Sequence, residues 1–418
     1  MLGQKTFIKC VIVIIFGLIF ASTAILPEKA AAADLLPLEI PQVVDMTGPY
    51  KSESTGWVKI FQVLEKDINE KGGIAGRKVI LKPYDCRYDV GVSTSILGRL
   101  INLTPKPAVI GGSIGPFFVA SAKKMPEPDY RIPLLAPAAY EAFVKEPSWI
   151  FSFGALYYQS LGTFLDWVQK NWKEARPIRL AFYTLNTPGG REPMRLKPWL
   201  EQKGIEVVAE EFVDPVPVDI TSIMMRFQQT KPDFIYGITP VSAYTKLLTE
   251  MERRNMRSKL ILPGFMPFSL VLKYVDKKTL EGHYQVSAFN TYLDESSPGI
   301  KSMNELFKKN EALKDLWPPD TGDMWAYGHV MVAKALLEKA VEKYGSWDKV
   351  TGETIFEMLN SGVEVDTGGI VSHLKWNAQR RVGPSAIKIL QCQNGEPVDM
   401  AGWMPFSKGL SEEEFFHR

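Results

Sequence analysis

Two short runs of small residues stand where this chain could hold a ligand: Gly111-Gly112-Ser113-Ile114-Gly115-Pro116 and Ala136-Pro137-Ala138-Ala139-Tyr140. Each follows an apolar stretch that reads as a strand. Each therefore falls at a strand's carboxyl end, where open parallel sheets bind ligands. In the first run, a proline at a helix start with glycines before it leaves backbone N–H groups available for an anionic oxygen. In the second, small residues permit close backbone approach, and Tyr140 offers a hydroxyl and a flat face. A plain strand-to-helix turn is the alternative reading of both. Catalytic sets are harder to find. The four histidines, His283, His329, His373 and His417, include no pair at helical ligand spacing, so no zinc site is expected. Gly72-Gly73-Ile74-Ala75-Gly76 looks like a nucleotide loop, but it follows a helical pattern and precedes a strand, the reverse of the required order, and reads as a turn. The expectation is binding without chemical change, with no cofactor, no metal and no enzymatic activity.

The elements that must position these loops alternate regularly. Short β-branched runs and amphipathic stretches follow one another from Leu38 onward, the signature of parallel strands joined by helices, an α/β fold. The first round runs through strands near 39–44, 79–84, 108–111 and 132–135. Its first helix presents Trp57, Ile60, Phe61, Leu64 and Ile68 at helical spacing. A second round has strands near 179–183, 206–212, 234–236 and 260–262. The last third holds helices near 301–309, 323–343 and 354–359, then a strand near 387–391. At 418 residues a single core is improbable and two doubly wound lobes are expected. Lys plus Arg number 49 against 47 for Asp plus Glu, and no stretch concentrates one sign, so nucleic acid is excluded as a partner.

Lys5 and Lys9 precede an apolar run that starts at Val11, and Ala30-Ala31-Ala32-Ala33-Asp34 follows with small residues suited to signal peptidase. Residues 1–33 read as a secretory signal peptide and the mature protein as periplasmic. A membrane anchor is the competing reading, since the apolar stretch reaches almost to Leu26; Ser22, Thr23 and the alanine run favour cleavage. Cys86 and Cys392 permit at most one disulfide, with two separate buried thiols as the alternative.

Met46-Thr47-Gly48-Pro49 after the first strand, and then Asp67-Ile68-Asn69-Glu70-Lys71-Gly72-Gly73-Ile74-Ala75-Gly76-Arg77, carry a resemblance. So do Ile132 to Ala138, Lys231 to Tyr236 and Trp325-Ala326-Tyr327-Gly328. The chain resembles the leucine/isoleucine/valine-binding protein family, the type I periplasmic binding proteins of ABC transporters. The resemblance implies two Rossmann-like doubly wound lobes joined by a multi-strand hinge. Lobe 1 would be 36–156 plus 284–368, lobe 2 157–283 plus 369–405, and 406–418 a C-terminal tail. It implies a monomer that captures a small molecule between the lobes and delivers it to membrane permease subunits. The alternatives are a ligand-sensing regulator on the same lobes or a two-domain hydrolase.

Carried over by position, the resemblance places Ser113, Ile114, Gly115, Ala138, Ala139 and Tyr140 in lobe 1 ligand loops, with Trp57 near the cleft mouth. Lobe 2 would contribute Thr187, Gly189, Thr239 and Phe265. The amino-acid binders place a threonine where this chain has Tyr140, and often a tyrosine where it has Thr187 or Pro188. Trp57, Tyr140 and Phe265 direct the expectation to an aromatic or other apolar carboxylate rather than leucine. Intact mass of the exported protein should show a mature chain starting close to Asp34; a retained 11–26 segment would refute the cleavage.

Overall fold

Two prolines shape the start of the fold. The structure, a computed structural model, describes residues 35–138, 144 and 148–411, so the signal peptide, Ala139, Tyr140 and the end of the tail lie outside the described residues. The stretch expected as one strand at 39–44 is two, β1 (Leu38–Glu39) and β2 (Gln42–Val44), because Pro41 between them has no N–H to donate. Their parallel partners are split in the same place: β1 pairs with β3 (Val79–Ile80) and β2 with β4 (Pro83–Asp85). Ile40 N–H to Ile80 C=O and Gln42 N–H to Lys82 C=O, both 2.8 Å, carry the ladder through the break.

With β5 (Ile110–Gly112), β6 (Leu134–Ala136) and β7 (Ile150–Ser152), the first sheet has the order β4-β2-β5-β6-β7, parallel throughout. The helix Lys51–Glu70 buries Trp57, Ile60, Phe61, Leu64 and Ile68 as its periodicity requires. The second sheet comprises β8 (Arg179–Leu185), β9 (Glu206–Val213), β10 (Phe234–Tyr236), β11 (Lys259–Pro263) and β12 (Tyr284–Ser287), in the order β9-β8-β10-β11-β12. β13 (Glu364–Val365) and β14 (Leu374–Lys375) form a separate antiparallel pair. β15 (Ala386–Gln393) and β16 (Glu396–Asp399) extend the second sheet antiparallel beyond β12.

This topology bears on two of the expected boundaries. Tyr284–Ser287, counted with lobe 1, pairs with β11 and β15 in the second sheet, so the chain leaves that sheet only after Ser287. Residues 369–385, counted with lobe 2, precede the strand that joins its sheet at Ala386.

Three backbone passages connect the lobes, and they are bonded together. Ser152 at the end of β7 donates its N–H to Arg381 C=O and accepts from the Gly383 N–H, both at 2.8 Å, while the fully buried Trp376 donates its indole N–H to the same Ser152 carbonyl at 2.8 Å. Asn290 N–H bonds Ile370 C=O at 2.9 Å in the second passage. The helix Thr321–Tyr344 packs on the helix Lys51–Glu70 and on β5 and β6, which brings its first turns to the hinge.

Of the titratable residues weighed for chemistry, His283, His329, Cys86 and Cys392 are buried and packed as structural groups, and His373 is exposed beside Glu364. His283 Nδ1 accepts the Leu260 N–H at 2.7 Å, and burial pushes its pKa down to about 4. His329 lies 2.9 Å from Gln42 Oε1 and burial pushes it down to about 3, so both rings are neutral at physiological pH. Cys86 and Cys392 are buried free thiols, raised by burial to about 12 and about 11. Among the described residues no group of three or more His, Cys, Asp or Glu could hold a metal, and no helix is long and apolar enough to cross a membrane.

The first passage leaves no room for a side chain at Gly154, where an added Cβ would lie 1.6 Å from the Pro137 carbonyl oxygen. Gly154→Ala should therefore destabilise the protein by about 1–3 kcal/mol or more, read as a lowered thermal midpoint. An unchanged midpoint would show that the hinge can deform there.

Candidate ligand-binding cleft

Both sheets share one feature of strand order: from one central strand the chain steps first to one side, then returns to build outward on the other. In the first sheet that switch lies between β2 and β5, in the second between β8 and β10. Loops leaving the carboxyl ends of such a strand pair diverge and open a crevice. The loops after β2 and β5 carry Tyr50, Ser113, Ile114 and Gly115; those after β8 and β10 carry Thr187 and Ile238. All six line one cleft.

Local chemistry fixes each loop. After β2, the buried Asp45 carboxylate accepts the backbone N–H groups of Gly48 at 2.6 Å and Tyr50 at 2.9 Å, which ties the loop and sets Tyr50 at the start of the following helix. Glu53, Ser54 and Trp57 lie on the same helical stripe as Tyr50 and line the cleft with it. Beyond β4 the backbone doubles back through Arg87 and Tyr88, both left-handed at φ 52° and 54°, a conformation costing about 1–2 kcal/mol per residue. The turn sets the Tyr88 ring 5.0 Å from that of Tyr50. In lobe 2, the Thr187 hydroxyl accepts the Gly190 N–H at 3.1 Å and so caps the turn that follows. Tyr157 opens the helix Tyr157–Lys170 directly after the first passage, and Phe265 follows β11.

The walls are aromatic. Phe265 of lobe 2 lies 6.1 Å from Tyr50, 6.2 Å from Tyr157 and 5.8 Å from Trp325, and Trp325 lies 6.4 Å from Trp57. Each such pair contributes about 0.5–1.5 kcal/mol beyond the area it buries. Against this apolar surface three polar atoms are buried without a partner: Glu53 Oε2, Ser113 Oγ and Trp325 Nε1. Buried polar atoms are nearly always satisfied, so three on one cleft mark a surface built to meet a ligand. The other Glu53 oxygen, Oε1, accepts the Val241 N–H from lobe 2 at 3.0 Å, and burial holds the carboxyl up at about 7. Past Glu53 the cleft continues between Ser269 and Lys273 of lobe 2 and Asp315 to Asp323 of lobe 1. There Ser269 donates its hydroxyl to Asp320, a second bond between the lobes.

Of the residues named from sequence, Trp57, Ser113, Ile114, Gly115, Thr187 and Phe265 line this cleft. Ala138 lines an adjoining cavity that shares Tyr157 and Trp325 with it. Gly189 and Thr239 are buried beside lining residues and are not themselves on the surface of the cleft. The Ser113 N–H, expected to face a ligand oxygen, is taken by the Val43 carbonyl at 3.4 Å. Sequence reasoning missed Tyr50, Glu53, Ser54, Tyr88, Tyr157, Ile238 and Trp325. The i, i+7 spacing of Tyr50 and Trp57 was available from the helical pattern, whereas Tyr88 depends on a backbone turn that its sequence does not announce.

One motif also escaped the sequence reading. Gly111-x-Ser113-x-Gly115 between a strand and a helix has the spacing of a hydrolase nucleophile elbow. That elbow requires a strained serine backbone and a base bonded to the hydroxyl. Ser113 is not among the described residues with positive φ, and its hydroxyl meets no histidine. The arrangement is a strand-to-helix turn whose hydroxyl faces the cleft.

The family model described as periplasmic binding protein matches residues 37–396. A comparison with curated protein sequences gives no match. Among solved structures, the chain is similar to a branched-chain amino acid ABC transporter protein from Thermus thermophilus with bound valine, at TM-score 0.79 and 15% identity over 92% of this chain and 100% of that one. A fatty acid ABC transporter substrate-binding protein from Thermomonospora curvata aligns at TM-score 0.76 and 19% identity, covering 90% and 94% of the two chains. A solute-binding protein from Rhodopseudomonas palustris BisB5 in complex with 3,4-dihydroxybenzoic acid aligns at 0.71 and 20%, covering 89% and 98%. With the family model spanning nearly all of the described chain, and two lobes whose switch points face one cleft, this chain belongs to the periplasmic binding protein family.

Proposed function

We propose that the protein works outside the cytoplasm as the solute-binding component of an ABC transporter, and that its ligand is an apolar, ring-bearing compound rather than leucine. The observation that carries the ligand reading is the aromatic lining supplied by both lobes: Tyr50, Trp57, Tyr88 and Trp325 face Tyr157 and Phe265. Flat walls favour a flat solute, because stacked and edge-on ring contacts hold a ring from several sides. The valine-bound and dihydroxybenzoate-bound structures support a transport role on this fold and a reading in which different solutes are accommodated. For the expected acidic ligand, Ser113, Thr187 and Trp325 supply hydroxyl and N–H donors, but among the described residues no Lys, Arg or His lines this part of the cleft. The aromatic part of that expectation is therefore the stronger. Trp57, Ser113, Thr187 and Phe265 are the contacts we assign to the ligand, with no cofactor and with the permease subunits as protein partner.

A thermal-shift screen of leucine, valine and one-ring compounds tests the ligand. A ligand at about a thousand times its dissociation constant stabilises the fold by roughly 4 kcal/mol. The shift should come from a ring-bearing compound, and Trp57→Ala should weaken that compound's binding by about 2 kcal/mol or more; a shift with leucine alone refutes the reading. Closure is tested separately. The radius of gyration from small-angle scattering should fall when the ligand is added, and an unchanged radius would count against a hinge.

A further inference from the structure

We propose that Glu53 and the rings beside it form a subsite for a protonated amine, so that the cleft selects a ring-bearing organic cation over a ring-bearing acid. The inference rests on the ring-binding reading above and adds the charge of the ligand to it.

The charge balance of the cleft comes first. Among the described residues, Glu53 is the one carboxylate of the ring-lined part of the cleft, which holds no Lys, Arg or His, while Lys273 stands with Asp315, Asp320 and Asp323 along the continuation. An anionic ligand among the rings would thus bring a second negative charge beside the first, with no described cation on that wall, in a site where weak screening magnifies the repulsion. Geometry comes second. Glu53 Oε1 is engaged with the Val241 N–H at 3.0 Å, while Oε2 is buried and unpartnered. A buried carboxylate oxygen without a donor is costly, and an ammonium N–H removes that cost with a charge-assisted bond. The walls come third. Tyr50 and Trp57 share the helical stripe of Glu53, and Phe265 and Trp325 complete the enclosure. Ring faces carry the negative side of the aromatic quadrupole and attract cations. Ser113 Oγ and Trp325 Nε1 remain to donate to a neutral acceptor elsewhere on the ligand.

The protonation of Glu53 makes the subsite sensitive to pH. Burial raises its carboxyl to about 7, and the Asp45 charge adds to the rise. Tyr50 and Tyr88 lie along the same wall, and Asp315, Asp320, Asp323 and Lys273 line the continuation of the cleft that Glu53 borders. A bound cation favours the ionised carboxylate. Below about pH 7 the ligand must therefore displace a proton, and above it none is displaced. Affinity for an amine should rise with pH through that range and then level off.

Calorimetry on the mature full chain, with phenethylamine, phenethyl alcohol and phenylacetate as probes, tests the proposal. Phenethylamine should bind tightest, and Glu53→Gln should weaken it about tenfold or more while changing the alcohol little. The amide keeps an oxygen for the Val241 N–H, so an unaltered thermal midpoint of the unliganded variant separates ligand recognition from a structural role. The pH profile for the amine should flatten in the variant. Tightest binding of phenylacetate, or a Glu53→Gln variant that binds the amine as well as the parent, overturns the amine subsite and leaves the ring-binding reading standing. Binding of leucine with none of the three probes overturns both.

Discussion

The structure depends on a constraint of parallel sheets, which cannot use tight hairpins and must send every connection over a face. Where successive connections take opposite faces, the loops at the strand ends part and leave a crevice. This chain builds that arrangement twice, at β2/β5 and at β8/β10, and the passages between lobes point the two crevices at each other. The bonds from Ser152 to Arg381 and Gly383, with Trp376 donating to the same carbonyl, clamp two of those passages together. The ligand surface is thus distributed over loops far apart in sequence, and only the hinge assembles it.

That origin explains what the cleft is made of. Loops at strand ends are short here and carry small residues where backbone must pass backbone; an added Cβ at Gly237, after β10, would lie 1.8 Å from the Tyr183 carbonyl oxygen. The bulk needed to enclose a ligand comes instead from helices: Trp57 on Lys51–Glu70, Tyr157 on Tyr157–Lys170 and Trp325 on Thr321–Tyr344. Helix-borne aromatic residues are held by their own packing and hydrogen-bond ladders, so these walls are more rigid than loop residues would be.

The same distinction governs how much could be read from sequence. Strands in the middle of each sheet were legible because both of their faces are buried and their residues are continuously apolar, as in Phe234–Tyr236 and Leu134–Ala136. β7 and β12 were passed over, although Ile150–Ser152 and Tyr284–Ser287 are almost wholly buried, because each is short and leads straight into a passage between lobes. For that reason the expected boundary at 284 separates from lobe 2 a strand that pairs in its sheet. In the cleft, the small-residue loops gave Ser113 to Gly115, and resemblance gave Trp57, Thr187 and Phe265. Glu53 was invisible to both approaches. On a helix it reads as a solvated acid in the first turn, and only its contact with lobe 2, through Val241, shows that its carboxyl end is enclosed.

Glu53 consequently ties two properties together. Its Oε1 holds the first N–H of the helix Val241–Arg253, an orphan donor at the positive end of a helix dipole, and so joins lobe 1 to lobe 2. Its Oε2 faces the rings without a partner. An ionised carboxylate strengthens the bond to the helix end, but when the lobes close it is left with a buried, uncompensated oxygen. A ligand that donates to Oε2 removes that penalty at the moment of closure. In the amine-subsite proposal, the free energy of binding and the free energy of lobe contact then pass through one side chain, and a solute lacking the donor would fill the cleft without favouring closure to the same degree.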